Sequence, residues 1–118
     1  MKRGGHVLIV AVLRTAVLGI AVLGIAALGI SVPARAATVQ ISIHDLVYAP
    51  AETTAKVGDT VEWVNNDVFV HSATARNGDW DVELPPQKTV TLVLKKPGVV
   101  DYYCRYHPNM KGRLTIAP

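Results

Sequence analysis

The sequence predicts an all-β fold, a Greek-key sandwich of about seven to eight strands, from the spacing of its strand and turn residues. From Thr38 onward, short runs rich in Val, Ile, Thr, Tyr and Trp alternate with Gly, Pro, Asn and Asp at intervals of roughly 8 to 12 residues. Within those runs apolar residues recur at every second position, and no stretch after residue 38 carries a helical period.

Residues 1–36 are set apart first. Lys2 and Arg3 precede an apolar run, Thr15 to Val32, that closes on Ala34-Arg35-Ala36. A charged start, an apolar middle and a small-x-small end make a secretory signal cleaved after Ala36. The run is also about as long as the roughly 18 residues of a membrane-spanning helix, so an uncleaved anchor facing the periplasm is the alternative. Cleavage leaves residues 37–118 as one domain. Of the 12 Lys and Arg, four (Lys2, Arg3, Arg14 and Arg35) fall in the signal, which leaves eight against 9 acidic residues and turns a charge of +3 into −1. Basicity therefore belongs to the targeting segment, and neither nucleic acid nor an anionic membrane surface is expected as a partner of the mature domain.

The first predicted strand is Thr38 to Ile43, with Val39, Ile41 and Ile43 on one face. Thr53 to Val57 and Thr60 to Asn65 flank the turn Val57-Gly58-Asp59, and Val61 and Trp63 share the inward face of the later strand. His71 to Ala75 leads into the turn Arg76-Asn77-Gly78-Asp79. After the break at Pro85-Pro86, Lys88 to Leu94 turns Val90, Leu92 and Leu94 to one side. Val100 to Tyr103 begins beyond Lys96-Pro97-Gly98, and Arg113 to Ile116 closes the chain with Leu114 and Ile116 inward. Trp63 and Tyr103 are expected in the core, and Trp80 at its edge or exposed. Two packed antiparallel sheets bury this pattern.

An exported chain folds in an oxidising space, yet Cys104 is the only cysteine and has no partner for a disulfide. It stands in Cys104-Arg105-Tyr106-His107-Pro108-Asn109-Met110, a Cys-x2-His-x2-Met spacing between two predicted strands. Thiolate, imidazole and thioether can close around one ion there, and His71 supplies a second imidazole from an earlier strand. Two His, one Cys and a Met form the ligand set of a trigonal copper site with a weak axial Met, used for electron transfer. Zinc suits this set less, because its structural sites favour Cys and His over a thioether. A small domain without disulfides also gains from a metal staple. His44 has no ligand spacing and pairs with Asp45 in solvent; His6 leaves with the signal.

The segment from Asp101 to Arg113 resembles the copper loop of the cupredoxin family, in its amicyanin-like group of small bacterial proteins. Lys56-Val-Gly-Asp-Thr-Val-Glu-Trp63, Asn65-Asn66-Asp67 before His71, and Tyr48-Ala49-Pro50 are similar to the family's earlier strands. The resemblance runs from about Val39 to the end. It implies a type 1 copper ion held by His71, Cys104 and His107, with Met110 on the axis. Three departures stand out: Ser72 replaces an Asn beside the first His and is expected to brace the loop less, Arg105-Tyr106 replaces Thr-Pro, and amicyanin's N-terminal extension is absent. The resemblance further implies that His107 can leave reduced copper and take a proton.

A periplasmic, monomeric one-electron carrier follows as the leading expectation, with copper storage or delivery as the alternative. Redox partners (a dehydrogenase, cytochrome or oxidase) would dock transiently near His107, on a patch expected to expose Tyr48, Pro50, Phe69, Pro108 and Met110. An enzyme is disfavoured, because four protein ligands leave no position open for a substrate.

Overall fold

Period-two alternation is carried into nine strands in the computed structural model, which describes residues 19–22, 24–32 and 35–118. Residues 1–32 and 33–118 form separate units. In the first, the described residues form neither helix nor strand, and Ile20, Ile25 and Leu28 are exposed. Among the described residues no helix is long and apolar enough to cross a membrane. Lys2, Arg3, Arg14 and Ala34, on which the signal reading leans, lie outside the described residues.

The second unit is a sandwich of two sheets. One has the order β2-β1-β4-β7, built from β1 (Thr38–His44), β2 (Val47–Ala49), β4 (Thr60–Asn65) and β7 (Thr89–Val93). The other runs β3-β9-β8-β5-β6, from β3 (Glu52–Lys56), β5 (His71–Ala75), β6 (Asp81–Leu84), β8 (Gly98–Tyr103) and β9 (Lys111–Ala117). Both sheets are mixed, which corrects the antiparallel expectation: β1 pairs β4 in parallel, and so does β3 with β9. The chain crosses from one sheet to the other after β2 and returns after β3, so β4 starts at the end of the sandwich where β1 started.

The strand count also exceeds the predicted seven to eight. β2 is a hairpin partner of β1 across Asp45 and Leu46, both with positive φ (51° and 63°). That is the geometry of a tight hairpin turn, but Asp-Leu carries none of the Gly or Asn that announces one. β6 reads as polar in sequence because Asp81 and Glu83 face out from an edge strand, where charges also discourage pairing with another chain.

Between the sheets, Ile41, Ile43, Val61, Trp63, Leu84 and Leu114 are fully buried. The predicted inward residues Val39, Val90 and Leu92 are only partly buried against this core. Tyr102 is the buried tyrosine, whereas Tyr103, expected inside, is half-buried with the Arg76 guanidinium 4.5 Å above its ring. Trp80 packs at the core edge, 5.6 Å from Trp63 and 5.5 Å from Tyr102 between ring centroids. Tyr102 lies directly over Gly112, where an added Cβ would collide with its ring. The aromatic core thus fixes how closely β8 and β9 approach, at the end of the sheet that carries the ligand loop.

Candidate metal centre

Each candidate ligand is set by a different piece of the sandwich. His71 is the first residue of β5 and is fully buried. Cys104 follows directly on β8, also with no exposure, and its N–H donates to the Met110 carbonyl at 3.2 Å. Met110, buried just before β9, donates its N–H to the His107 carbonyl at 2.9 Å. These two bonds close the loop on itself and leave His107 half-buried at its tip. Met110 is therefore not part of an exposed patch, and neither is Tyr48, which is 1% exposed. Its hydroxyl instead donates to the Ser72 carbonyl, and burial raises its pKa, with the nearby Cys104 and Tyr102 adding to the rise.

Three donor atoms meet at one point. Cys104 Sγ lies 3.7 Å from His71 Nδ1 and 3.8 Å from His107 Nδ1, and the two Nδ1 atoms are 3.2 Å apart. His71 Nε2 is 2.8 Å from the Asp67 carboxylate. With Nε2–H donated to Asp67, Nδ1 is left as a lone pair facing the other two donors. One soft sulfur and two imidazole nitrogens converging in a buried pocket suit a single copper ion. The Ser72 N–H points at Cys104 Sγ from 3.4 Å, where it stabilises negative charge on sulfur.

Asp67 is a residue that sequence reasoning missed. Burial works against its charge, but N–H groups of Leu46 and Asp45 and the His71 ring outweigh it and hold the carboxyl below the usual range. One carboxylate thereby supports the Asp45-Leu46 turn and aims the His71 ring. In sequence it appeared only as the end of Asn65-Asn66-Asp67 before His71, with no role of its own. His44, Asp45 and Asp67 also lie together, but the Asp67 oxygens are already engaged, and His44 forms the solvent-exposed pair with Asp45 (3.3 Å) that the sequence suggested.

Ser72 braces the ligand loop through its side chain. Its hydroxyl accepts the Arg105 N–H at 2.8 Å and contacts Thr74 Oγ1 at 2.9 Å. At Arg105-Tyr106, which stand in place of the family's Thr-Pro, Arg105 Nε sits 3.0 Å from Asp81 and the Tyr106 hydroxyl donates to Glu83 at 2.7 Å. Edge strand β6 therefore clasps the ligand loop from outside.

A β-sandwich with two imidazole nitrogens and one thiol about a single point has the donor set of a copper protein. A profile of the Cupredoxin-like domain family matches residues 15–116. Amicyanin from Paracoccus versutus is 30% identical over 91 residues, 72% of this chain and 67% of that protein. Plastocyanin from Prochlorothrix hollandica is 32% identical over 103 residues, 73% and 78% of the two chains. A reduced amicyanin variant superimposes with a TM-score of 0.58 at 26% identity, over 67% of this chain and 81% of that one. The chain belongs to the cupredoxin-like family, in the group resembling amicyanin, and is a copper-binding electron carrier of that family.

Proposed function

We propose that this protein carries single electrons in the periplasm, that His71 Nδ1, Cys104 Sγ and His107 Nδ1 would hold one copper ion with the Met110 thioether as a weaker fourth donor, and that residues 1–36 are its cleaved signal. The observation that carries the reading is the convergence of those three donor atoms within 3.8 Å of one another. Bound copper supplies the one-electron couple. The chain's own residues hold the donors still: Asp67 aims one imidazole, Ser72 N–H faces the sulfur, and the core behind Cys104 excludes water. A site that moves little between oxidation states lowers the reorganisation that electron transfer requires.

His107 is the half-buried edge of this site and the port through which an electron would pass. Around it stand Leu46, Tyr106 and Pro108, with the Phe69 ring 6.0 Å from the imidazole. This revised apolar patch, with Val68 exposed beside it, suits brief docking of a redox protein such as a dehydrogenase, cytochrome or oxidase. Similarity to a copper-containing nitrite reductase from Thermus scotoductus (TM-score 0.61, 27% identity) spans 69% of this chain but 22% of that enzyme. It supports a shared copper domain and gives no reason to propose catalysis here.

The test is the visible absorption and EPR spectrum of the copper-loaded protein beside Cys104→Ser. An intense thiolate-to-copper band with narrow copper hyperfine splitting, lost in the variant, is expected. An ordinary tetragonal Cu(II) spectrum in the parent protein would reject the electron-carrier site. Retention of copper through repeated oxidation and reduction, against a competing chelator, separates a carrier from a delivery protein.

A further inference from the structure

Asp59 sits in the turn between β3 and β4 and is 6% exposed. One of its carboxylate oxygens accepts the Ala37 N–H at 2.8 Å, and the other accepts the Lys56 N–H at 2.9 Å. The carbonyl of the same Ala37 accepts the Thr60 N–H at 2.9 Å. Both polar backbone groups of Ala37 are thus held by the β3–β4 corner. The next residue opens β1 and pairs with Thr60 as the first rung of the parallel ladder. Arg35 and Ala36, just before, are exposed and in no regular element.

Ala37 is also the residue that cleavage after Ala36 would make the N-terminus, so this inference rests on the signal reading above. We propose that Asp59 is the receptor for the amino terminus created by that cleavage. Hydrolysis of the Ala36–Ala37 bond consumes one water: the Ala36 carbonyl leaves as a carboxylate, and the Ala37 nitrogen becomes an α-ammonium. A neutral amide donor is thereby exchanged for a cation at a carboxylate already in place, and a charge-assisted hydrogen bond is roughly twice as strong as a neutral one. The site also reads the position of the cut. Cleavage one residue earlier leaves a neutral amide at Asp59, and one residue later removes the donor.

The charged groups carried by this corner and the segments bonded to it are Asp59 and Lys56, Lys95 next to Leu94, whose backbone pairs with Asp59 and Gly58, and Arg35 two residues before Ala37. Backbone donation from Ala37 and Lys56 holds the Asp59 carboxyl below its usual range against the opposing effect of burial, and the Lys56 charge adds to the lowering. The stability that this carboxylate contributes is present above its ordinary pKa of 3.8 and is lost as pH falls through the lowered value. The ammonium works in the opposite sense. A free α-amino group titrates at about 7.7 to 8.0; capture raises this, so its contribution is complete below about 8 and is lost as pH rises through the raised value.

The full chain, expressed in a bacterium that exports it and loaded with copper, gives the test. Intact mass reads where the chain is cut, and NMR titration of the Ala37 amino group reads the capture. The expected result is an Ala37 start with an amino pKa about one unit above the free value, a tenfold change in its dissociation constant, returned to normal in Asp59→Asn. A protein extended by Ala36, with Asp59 untouched, should lose the alkaline part of the stability profile while keeping its fold and copper spectrum. A start at another residue overturns the cleavage position and the capture with it. An Ala37 start with an ordinary amino pKa overturns the capture alone.

Discussion

Asp67 shows how much of the centre rests on one side chain that binds no metal. It receives N–H groups from Asp45 and Leu46 and aims the His71 ring, so its removal frees the imidazole and leaves a left-handed Asp-Leu turn without support. Asp67→Ala should lower copper affinity about 10- to 100-fold, the usual effect of losing a partner behind a ligand, measured by competition with a chelator of known affinity. Asp67→Asn keeps one acceptor oxygen and should fall between. The four ligand candidates could be read directly from sequence because Cys-x2-His-x2-Met is local. Asp67 could not, because its role depends on a hairpin turn 21 and 22 residues away in the chain. Tyr48 and Met110 were misplaced for a related reason: an aromatic or a thioether in a loop carries no sign of which way it faces until the loop is folded.

At the scale of elements, β6 and the ligand loop act as one piece. Asp81 also accepts from Thr74 of β5 at 2.8 Å, so the clasp on Arg105 runs back into the strand that begins with His71. Exposed ion pairs add little to global stability, and their effect belongs to the loop. Asp81→Asn combined with Glu83→Gln should speed hydrogen exchange at the Tyr106 and His107 amides while leaving Tm little changed. Gly112 acts in the opposite way. A methyl there meets the Tyr102 ring, whose neighbours Tyr48 and Trp63 leave it no room to retreat. Gly112→Ala should cost about 1 to 3 kcal/mol in urea unfolding, the range for overpacking a core. The bounds of β4 and β5 match the sequence reading because turn residues frame each; β4 also alternates cleanly, whereas β5 is buried along nearly its whole length. β2 and β6 escaped it because a three-residue strand and a charged edge strand are made by their partners.

For the whole molecule, the sequence carried the alternation but not the pairing. A period of two says which residues face inward and nothing about whether neighbouring strands run parallel; that follows from where the chain changes sheets. The resulting frame places His71 and Cys104 on rigid, buried strand ends and only His107 on a loop tip. Two of the three strong donors are therefore positioned by buried strand ends, packed among core residues that are not themselves ligands. Copper removal should leave the strand signature in circular dichroism intact, unlike metal-dependent domains that unfold when stripped. Stability should nevertheless fall, because copper binds the folded state and not the unfolded one. At a free concentration 100 times Kd the linkage is about 2.7 kcal/mol, and each kcal/mol moves the Tm of a domain this small by roughly 4 to 8 °C. The expected shift is on the order of 10 to 20 °C, growing with the logarithm of copper concentration. Thermal melts of the copper-loaded protein, the stripped protein and Cys104→Ser over a copper series check it. A stripped protein without strand signal would show that the metal nucleates the sandwich.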